Sequence, residues 1–315
     1  MKSLFSIAFL VFAAFAIAAQ DSAWVQVRIP VACIREGRGH ATEMSSQAIM
    51  GMPMLILEED TLAHEWLKLQ APDGYVGYMN ISSVARKTHD AMTAWRRAPR
   101  LVMTAMAEAK VYSDTLGLTP RNIVTELVNG SIVEGVRTTG KYTRVVLPDG
   151  RSGYVESAML SPIETWASAP LDTSLMLERC YTLMGTPYLW GGASTKSVDC
   201  SGLVRVSLYA NGVLTLRDAR QQIEIGQRIE PDDTGSLERG DLLFFSKTPD
   251  GRISHVAVYD SDGSYIHSSG RVKVNRMSPD DEDFAPRCYR GASRIAGMTG
   301  TPGIWQIIDH PWYFQ

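Results

Sequence analysis

The sequence predicts two small all-β modules followed by an α+β domain. The first observation is an internal repeat in the N-terminal half, each copy having the pattern strand, turn, strand. The second is a change of pattern after about residue 170, where apolar residues take helical spacing. The third is a run of consecutive strands after those helices, an order typical of α+β domains.

The repeat relates EWLKLQAPDGYVGYMNISSV, from Glu65, to KYTRVVLPDGRSGYVESAML, from Lys141, without gaps. In each copy alternating runs flank a Pro-Asp-Gly turn, a pattern that predicts a β-hairpin. We place the modules at residues 24–95 and 100–162. Residues shared by both copies are interpreted as structural. Tyr75 has Arg151 as its counterpart and is therefore a candidate for a special role, the alternative being an exposed strand residue.

The N-terminal segment has the pattern of a targeting sequence. Lys2 precedes the apolar run LFSIAFLVFAAFAIAA, which ends in small residues before Gln20. We predict a cleaved signal peptide at 1–19 and an exported, periplasmic or secreted protein. The alternative is a membrane anchor, but the run is short for the ~20 residues that a spanning helix needs. With a net charge of −3, nothing indicates a nucleic acid or an anionic membrane as partner.

The C-terminal domain, residues 170–315, follows a linker at 161–174. Helical spacing with capping residues predicts helices over 173–185 and 200–212. Apolar runs predict consecutive strands at 241–245, 253–259, 264–269 and 271–277. The aromatic tail, which contains His310, is expected to pack back on the protein, since so much exposed aromatic surface would be adhesive.

Cys200 is the candidate nucleophile. Asp199 is a good N-cap, so Cys200 is expected in the first turn of its helix. There the helix dipole and free N–H groups are expected to stabilise a thiolate and lower the pKa of the thiol. A thiolate attacks acyl carbon. The alternative is a small buried residue, the usual state of a free cysteine.

Two histidines supply a base for this nucleophile. His255 lies in the apolar strand ISHVAVY, and His267 lies in the next strand. A three-residue loop of Ser261, Asp262 and a left-handed Gly263 places Ala257 opposite His267. His255 is then the diagonal neighbour of His267 on the same face. The pattern predicts a nucleophile, a base and a third group that orients the base.

A zinc site is the alternative chemistry for one cysteine and two histidines, with water as the fourth ligand. The helix-start cysteine needs no metal to explain it, so we expect no metal and no cofactor. The four cysteines are far apart in sequence and form no Cys-x-x-Cys pair. Cys180 and Cys288 could form a disulfide, which the sequence leaves open.

The motifs GTPYLWGG, DCSGLV, LERGDLLFF, SHVAVY and YIHSSG, in this order, resemble the NlpC-type cell-wall cysteine peptidases. The resemblance implies a minimal, circularly permuted papain-like fold, with Cys200, His255 and His267 as catalytic residues. The repeated modules resemble bacterial SH3-like domains. Together this order resembles the γ-D-glutamyl-L-diamino acid endopeptidases, which cleave murein stem peptides that carry a free N-terminal L-Ala.

The resemblance also implies a set of substrate-binding residues: Glu43, Tyr75, Tyr188, Asp199, Ser201 and Asp218. Carboxylates and an aromatic wall suit an α-ammonium group. Glu43 has a solvated carboxylate as its alternative, Asp199 a pure helix cap, and Tyr188 a core aromatic. Ala219 departs from the family, which often has Ser there. We expect a monomer acting on a murein peptide, with diaminopimelate or Lys undecided.

Two other functions stay open on the sequence. One is an endopeptidase on intact peptidoglycan, with the SH3-like modules as wall-targeting modules. The other is a non-catalytic wall-binding protein, against which stands the complete Cys200, His255 and His267 set.

Overall fold

The computed structural model describes residues 24–59, 65–116, 118–284 and 286–314. The predicted signal peptide at 1–19 lies outside these residues. Within them, no helix is both long and apolar enough to cross a membrane.

The first β module is a seven-stranded antiparallel sheet in the order β3-β2-β6-β5-β4-β1-β7. Its strands are β1 Trp24–Val27, β2 Val31–Arg35, β3 Met44–Ile49, β4 Pro53–Glu59, β5 Trp66–Gln70, β6 Val76–Asn80 and β7 Val84–Lys87. Helix α1, His89–Arg97, follows, with the Thr88 hydroxyl accepting a hydrogen bond from the Ala91 N–H. The strands pack around a buried apolar core that includes Val25, Leu67 and Met79.

The second module repeats this topology seven strands later, in the order β10-β9-β13-β12-β11-β8-β14. Its strands are β8 Arg100–Met103, β9 Ala109–Tyr112, β10 Ile123–Leu127, β11 Ile132–Thr139, β12 Tyr142–Val146, β13 Ser152–Glu156 and β14 Leu160–Pro162. The shared turn glycines, Gly74 and Gly150, have φ of 82° and 85°, the left-handed region where glycine carries no steric cost. The predicted duplication is therefore confirmed in the strand order.

The two modules meet through Met50. Its side chain is fully buried in the core of the second module, beside Met103 and Val133. Its carbonyl accepts a hydrogen bond of 2.9 Å from the N–H of Ile132. A Cβ on the next residue, Gly51, would stand 2.1 Å from the carbonyl oxygen of Ile132, so only glycine permits this approach.

The third unit combines helices with a six-stranded sheet in the order β18-β23-β19-β20-β21-β22. Its helices are α2 Ile163–Ala167, α3 Thr173–Thr182, α4 Cys200–Tyr209 and α5 Ala219–Gln222. Its strands are β15 Ala193–Ser194, β16 Ser197–Val198, β17 Val213–Thr215, β18 Gln227–Ile229, β19 Leu242–Ser246, β20 Ile253–Tyr259, β21 Ser264–Ser269, β22 Arg271–Arg276, β23 Cys288–Arg294 and β24 Ile304–Gln306. Helices followed by an antiparallel meander confirm the α+β prediction.

The C-terminal tail packs back on the first module, as the sequence predicted. Strand β24 pairs with β17, and the Trp312 ring meets Trp24 edge-to-face at 5.0 Å between ring centroids. The carbonyl of Tyr313 accepts a 2.7 Å hydrogen bond from the Arg100 guanidinium. His310 Nε2 lies 3.0 Å from the Pro72 carbonyl, a contact that holds the tail against the Pro-Asp-Gly turn.

Candidate active site

Cys200 is the first residue of α4 and lines a cavity of about 810 Å³. Asp199 caps the helix, its Oδ1 accepting a 2.7 Å hydrogen bond from the Gly202 N–H. A Cβ on Gly202 would lie 1.9 Å from the Gly192 carbonyl oxygen. The glycines of WGG and DCSG are therefore required because the loop and the helix start touch backbone to backbone.

The prediction of a lowered thiol pKa is wrong. Burial raises the pKa of Cys200 to about 11, and the adjacent Asp199 carboxylate adds to the rise. Backbone N–H groups of Val256 and Ser201 favour the thiolate but do not offset burial. The resting protein therefore holds a thiol, which needs a base at the moment of attack.

His255 lies on β20 next to Val256, whose N–H approaches the sulfur of Cys200. Burial, with Arg287 and His267 nearby, holds the pKa of His255 well below its usual value. The imidazole is therefore neutral and able to accept a proton. His255 and Cys200 line the same cavity.

The hairpin between β20 and β21 has the predicted register. Val258 pairs with Ile266 and Tyr259 with Tyr265, and Gly263 is left-handed with φ of 76°. Asp262 also has a positive φ, of 50°, which the sequence did not predict. His255 Nε2 lies 2.8 Å from His267 Nδ1, with the rings nearly perpendicular. The diagonal pairing of the two histidines is therefore confirmed.

Both ring nitrogens of His267 have hydrogen-bond partners, Nδ1 with His255 and Nε2 with Asn275, which leaves His267 no nitrogen for a metal shared with Cys200. Among the described residues, no group of three or more His, Cys, Asp or Glu is arranged to hold a metal. Cys33, Cys180, Cys200 and Cys288 are all free, so the open question of a Cys180–Cys288 disulfide is answered in the negative.

One part of the cavity lining combines carboxylates with an aromatic ring, and we call it the acidic and aromatic end. Tyr75 of the first module lies there with Ser45, Glu36 and Asp218, and Arg217 is close to the same group. Lys247 and Arg287 also line the cavity, with Arg287 anchored by hydrogen bonds to the Asp283 carbonyl and the Ser269 hydroxyl. Carboxylates beside an aromatic ring suit a cation, and the basic side chains suit a carboxylate.

Glu43 and Glu36 lie across the same hairpin, and both are exposed. Glu36 is among the residues that line the cavity and Glu43 is not, so the role of Glu43 in substrate binding stays a prediction. The backbone carbonyl of Glu43 accepts a 3.0 Å hydrogen bond from the Glu36 N–H. The β2–β3 pairing shifts register between Ile34 and Arg35, so strand alternation does not reveal which acid faces the catalytic domain. The sequence analysis missed Glu36 for this reason.

Asp199 and Ser201 line the cavity and also form internal contacts. A buried Arg217 places Nη2 2.5 Å from Asp199 Oδ2 and Nη1 3.0 Å from the Ser201 hydroxyl. The Gly191 N–H donates a further 3.0 Å hydrogen bond to Asp199. The alternative reading of Asp199, a helix cap, therefore accounts for its contacts. Arg217, in LRDARQQ, was missed because its partners are distant in sequence.

Tyr188, Asp218 and Ala219 line the cavity. Burial, with Cys200 and the Asp199 carboxylate nearby, raises the pKa of Tyr188 far above its usual value, so its hydroxyl stays protonated and can donate. Asp218 forms an ion pair with Arg220 at 3.0 Å. Ala219 leaves one wall position without a hydroxyl. Trp190, 60% exposed, stands at the cavity rim.

The first module is held onto the catalytic unit by buried polar contacts. Arg205 Nη2 lies 2.7 Å from Asp73 Oδ2, and Arg217 Nε donates to the Ser46 hydroxyl at 2.9 Å. The Gln47 side-chain oxygen accepts from the Ala193 N–H at 2.9 Å. These contacts fix Glu36 and Tyr75 relative to Cys200.

Comparison with known proteins identifies the relatives of this chain. Residues 185–291 match the NlpC/P60 family, and residues 34–84 match the bacterial dipeptidyl-peptidase Sh3 domain. Dipeptidyl-peptidase 6 of Lysinibacillus sphaericus is 32% identical over 253 residues, covering 76% of this chain and 86% of the relative. A γ-D-glutamyl-L-lysine dipeptidyl-peptidase of Bacillus subtilis is 42% identical over 86 residues, 27% of this chain and 28% of the relative.

The fold has a counterpart among solved structures. The crystal structure of an NlpC/P60 family protein from Bacillus cereus superposes with a TM-score of 0.72 at 18% identity, covering 86% of this chain and 99% of the other. Such an identity supports the fold, while the L. sphaericus relative supports the family. The chain belongs to the NlpC/P60 family of cysteine peptidases, with an N-terminal SH3-like region.

Proposed function

We propose that the protein hydrolyses the γ-D-glutamyl-L-diamino acid bond of murein stem peptides that begin with a free L-Ala. Cys200 is the nucleophile, His255 the base and His267 the residue that orients the base. The observation that carries the substrate assignment is the acidic and aromatic end of the cavity, built by Glu36 and Tyr75 of the first module. Export and a monomeric state remain predictions.

The chemistry proceeds as acyl transfer to sulfur. The neutral His255 takes the thiol proton as the sulfur attacks the γ-carbonyl carbon of D-Glu. The tetrahedral oxyanion collapses, and His255 gives the proton to the departing amine of the diamino acid. Water, deprotonated by His255, then hydrolyses the thioester and restores the thiol. The protonated Tyr188 hydroxyl is suited to donate to the developing negative charge.

The acidic and aromatic end of the cavity, which we call the amine end, would explain a requirement for a free N-terminus. An α-ammonium needs carboxylate acceptors and an aromatic face. Glu36 and Asp218 supply carboxylates, and Tyr75 supplies the ring. Asp199 also lines the cavity, and it is paired with Arg217 at 2.5 Å, as Asp218 is with Arg220 at 3.0 Å. Of the three carboxylates, Glu36 is the one tested below.

The test is hydrolysis of L-Ala-γ-D-Glu-diaminopimelate followed by chromatography. We expect release of the diamino acid by wild type and none by Cys200→Ala. N-acetylation of the peptide should lower kcat/KM by ~100-fold or more, because it removes the positive charge that the carboxylates of Glu36 and Asp218 would recognise. Equal turnover by Cys200→Ala and wild type would refute the proposal. Undiminished cleavage of the acetylated peptide would refute the role of the amine end.

A matched pair of variants separates the two acids of the hairpin. We expect Glu36→Gln to raise KM ~10-fold with kcat nearly unchanged, since it removes one charge-assisted contact. Glu43→Gln, outside the cavity on the same hairpin, should leave both constants near wild type. A raised KM in Glu43→Gln and an unchanged KM in Glu36→Gln would identify Glu43 as the amine-binding residue.

A further inference from the structure

The hydrogen-bond chain of the active site continues beyond His267. His267 Nε2 lies 2.9 Å from Asn275 Oδ1. Asn275 Nδ2 donates to both carboxylate oxygens of Asp281, at 2.8 and 2.9 Å. His267 pairs with Lys273 across β21 and β22, so Asn275 is its diagonal neighbour, as His267 is of His255. Three adjacent strands thus align His255, His267 and Asn275.

The carboxylate of Asp281 sets the direction of the hydrogen bonds that run from Asn275 through His267 to His255. Partial burial disfavours its charge, but hydrogen bonds from Asn275 and the N–H groups of Arg276, Asp283 and Phe284 outweigh that and lower its pKa. Asp281 is ionised at neutral pH and can only accept hydrogen bonds. The amide NH₂ of Asn275 must therefore face Asp281, which leaves the amide oxygen facing His267.

The tautomers of both histidines follow from this orientation. Because Asn275 Oδ1 accepts, His267 Nε2 carries the proton and His267 Nδ1 is the acceptor. His255 Nε2–H then donates to His267 Nδ1, and the lone pair of His255 is on Nδ1, the nitrogen that His267 does not engage. A flipped Asn275 would reverse every step and leave His255 Nδ1 protonated, unable to take the thiol proton.

We propose that Asn275 and Asp281 are positioning residues that hold His255 in the tautomer required of the base. This inference rests on the roles proposed above for Cys200 and His255. Other charges face His267 as well. Asp283 Oδ2 lies 3.7 Å from His267 Nε2 and is paired with Lys273, and Arg287 lies nearby. Replacing Asp283 therefore tests whether any negative charge near His267 has the effect on activity that we assign to Asp281.

Steady-state kinetics of four variants test the direction of these hydrogen bonds. Asp281→Asn frees Asn275 to flip, and we expect kcat to fall ~10–100-fold with KM within about twofold, as for loss of a correctly oriented base. Asn275→Ala should give the same loss and serves if Asp281→Asn fails to fold. Asp283→Asn should change kcat by less than about threefold. The exchange Asn275→Asp with Asp281→Asn should recover most of kcat, since Asp at 275 also accepts from His267 Nε2–H.

The ¹⁵N chemical shifts of the imidazoles provide a readout without substrate. Wild type should show His255 and His267 protonated on Nε2, and Asp281→Asn should show a mixture of tautomers. The proposal is overturned by unchanged tautomers and kcat in Asp281→Asn, by an equal loss in Asp283→Asn, or by failure of the exchange to recover activity. The spectrum needs no peptide, so it tests the tautomers independently of the substrate. If instead the proposed substrate is wrong, the wild-type protein will show no Cys200-dependent cleavage of the peptide.

Discussion

The two Pro-Asp-Gly turns provide a matched test of how the first module is attached. Asp73 and Asp149 occupy equivalent positions in the repeat. Each accepts a hydrogen bond on Oδ1 from the N–H two residues on, at 3.1 Å for Asp73 and 3.3 Å for Asp149. Asn can accept the same hydrogen bond. Replacing either Asp by Asn therefore preserves the turn and removes only the charge.

The partners of the two carboxylates differ. Asp73, with a side chain that is 0% exposed, meets Arg205, 5% exposed, at 2.7 Å; the angle between them is too bent for a hydrogen bond. Asp149, with a side chain that is 10% exposed, meets Arg151 at 2.9 Å and Arg28 at 3.5 Å, and both arginines are 43% exposed. Removing one member of a buried ion pair costs about 3–5 kcal/mol, and the bent geometry favours the lower end. An exposed pair contributes about 0–1 kcal/mol.

We therefore expect Asp73→Asn to lower the free energy of unfolding by ~3 kcal/mol and Tm by about 6 °C, at ~2 °C per kcal/mol for a chain of this size. Asp149→Asn should shift Tm by about 2 °C or less. Thermal unfolding followed by circular dichroism measures both. Asp73→Asn should also raise KM, because Arg205 fixes the module that carries Glu36. Equal Tm shifts for the two variants would refute the assignment of Asp73 as the buried link.

Two further predictions concern stability and backbone approach. Burial is the main reason that the folded-state pKa of His267 is lowered from 6.5 to about 4. Between these pH values the unfolded chain binds a proton that the folded protein does not, so His267 should make the free energy of unfolding fall by ~3 kcal/mol as pH drops from 6.5 to 4. Urea titrations of His267→Gln should show a smaller fall. Gly202→Ala places a methyl group 1.9 Å from the Gly192 carbonyl oxygen, so it should lower the free energy of unfolding by ~1–3 kcal/mol and abolish peptidase activity. At Gly235 an added methyl group would have nothing within 4 Å, so Gly235→Ala should leave stability and activity unchanged. An active, stable Gly202→Ala would contradict the close approach.

Local patterns predicted much of the fold because they are set by short-range chemistry. The strands around His255 and His267 follow from short apolar runs, and the loop at Gly263 fixes the register between them. The repeated Pro-Asp-Gly turn revealed the duplication without any knowledge of packing. Those parts of the site that lie on one hairpin were therefore predictable.

The remaining features depend on contacts between distant segments. Arg217 meets Asp199 only after α4 and α5 have packed, and Glu36 lines the same cavity as Cys200 only after the first module has docked. The pKa of Cys200 depends on burial, which helix position alone does not indicate. Asn275 lies in the predicted strand at 271–277, but Asp281 follows in a polar stretch with no periodic pattern, so only the three-dimensional structure relates Asp281 to His267.

The insertion of Met50 into the core of the second module has a consequence for evolution and engineering. Among the described residues, the second module contributes no side chain to the cavity lining, yet removing it would expose the fully buried thioether of Met50. A protein trimmed to one module would therefore lose the packing around Met50 without losing any described residue that lines the cavity. Shorter variants of this architecture should therefore carry a polar residue in place of Met50.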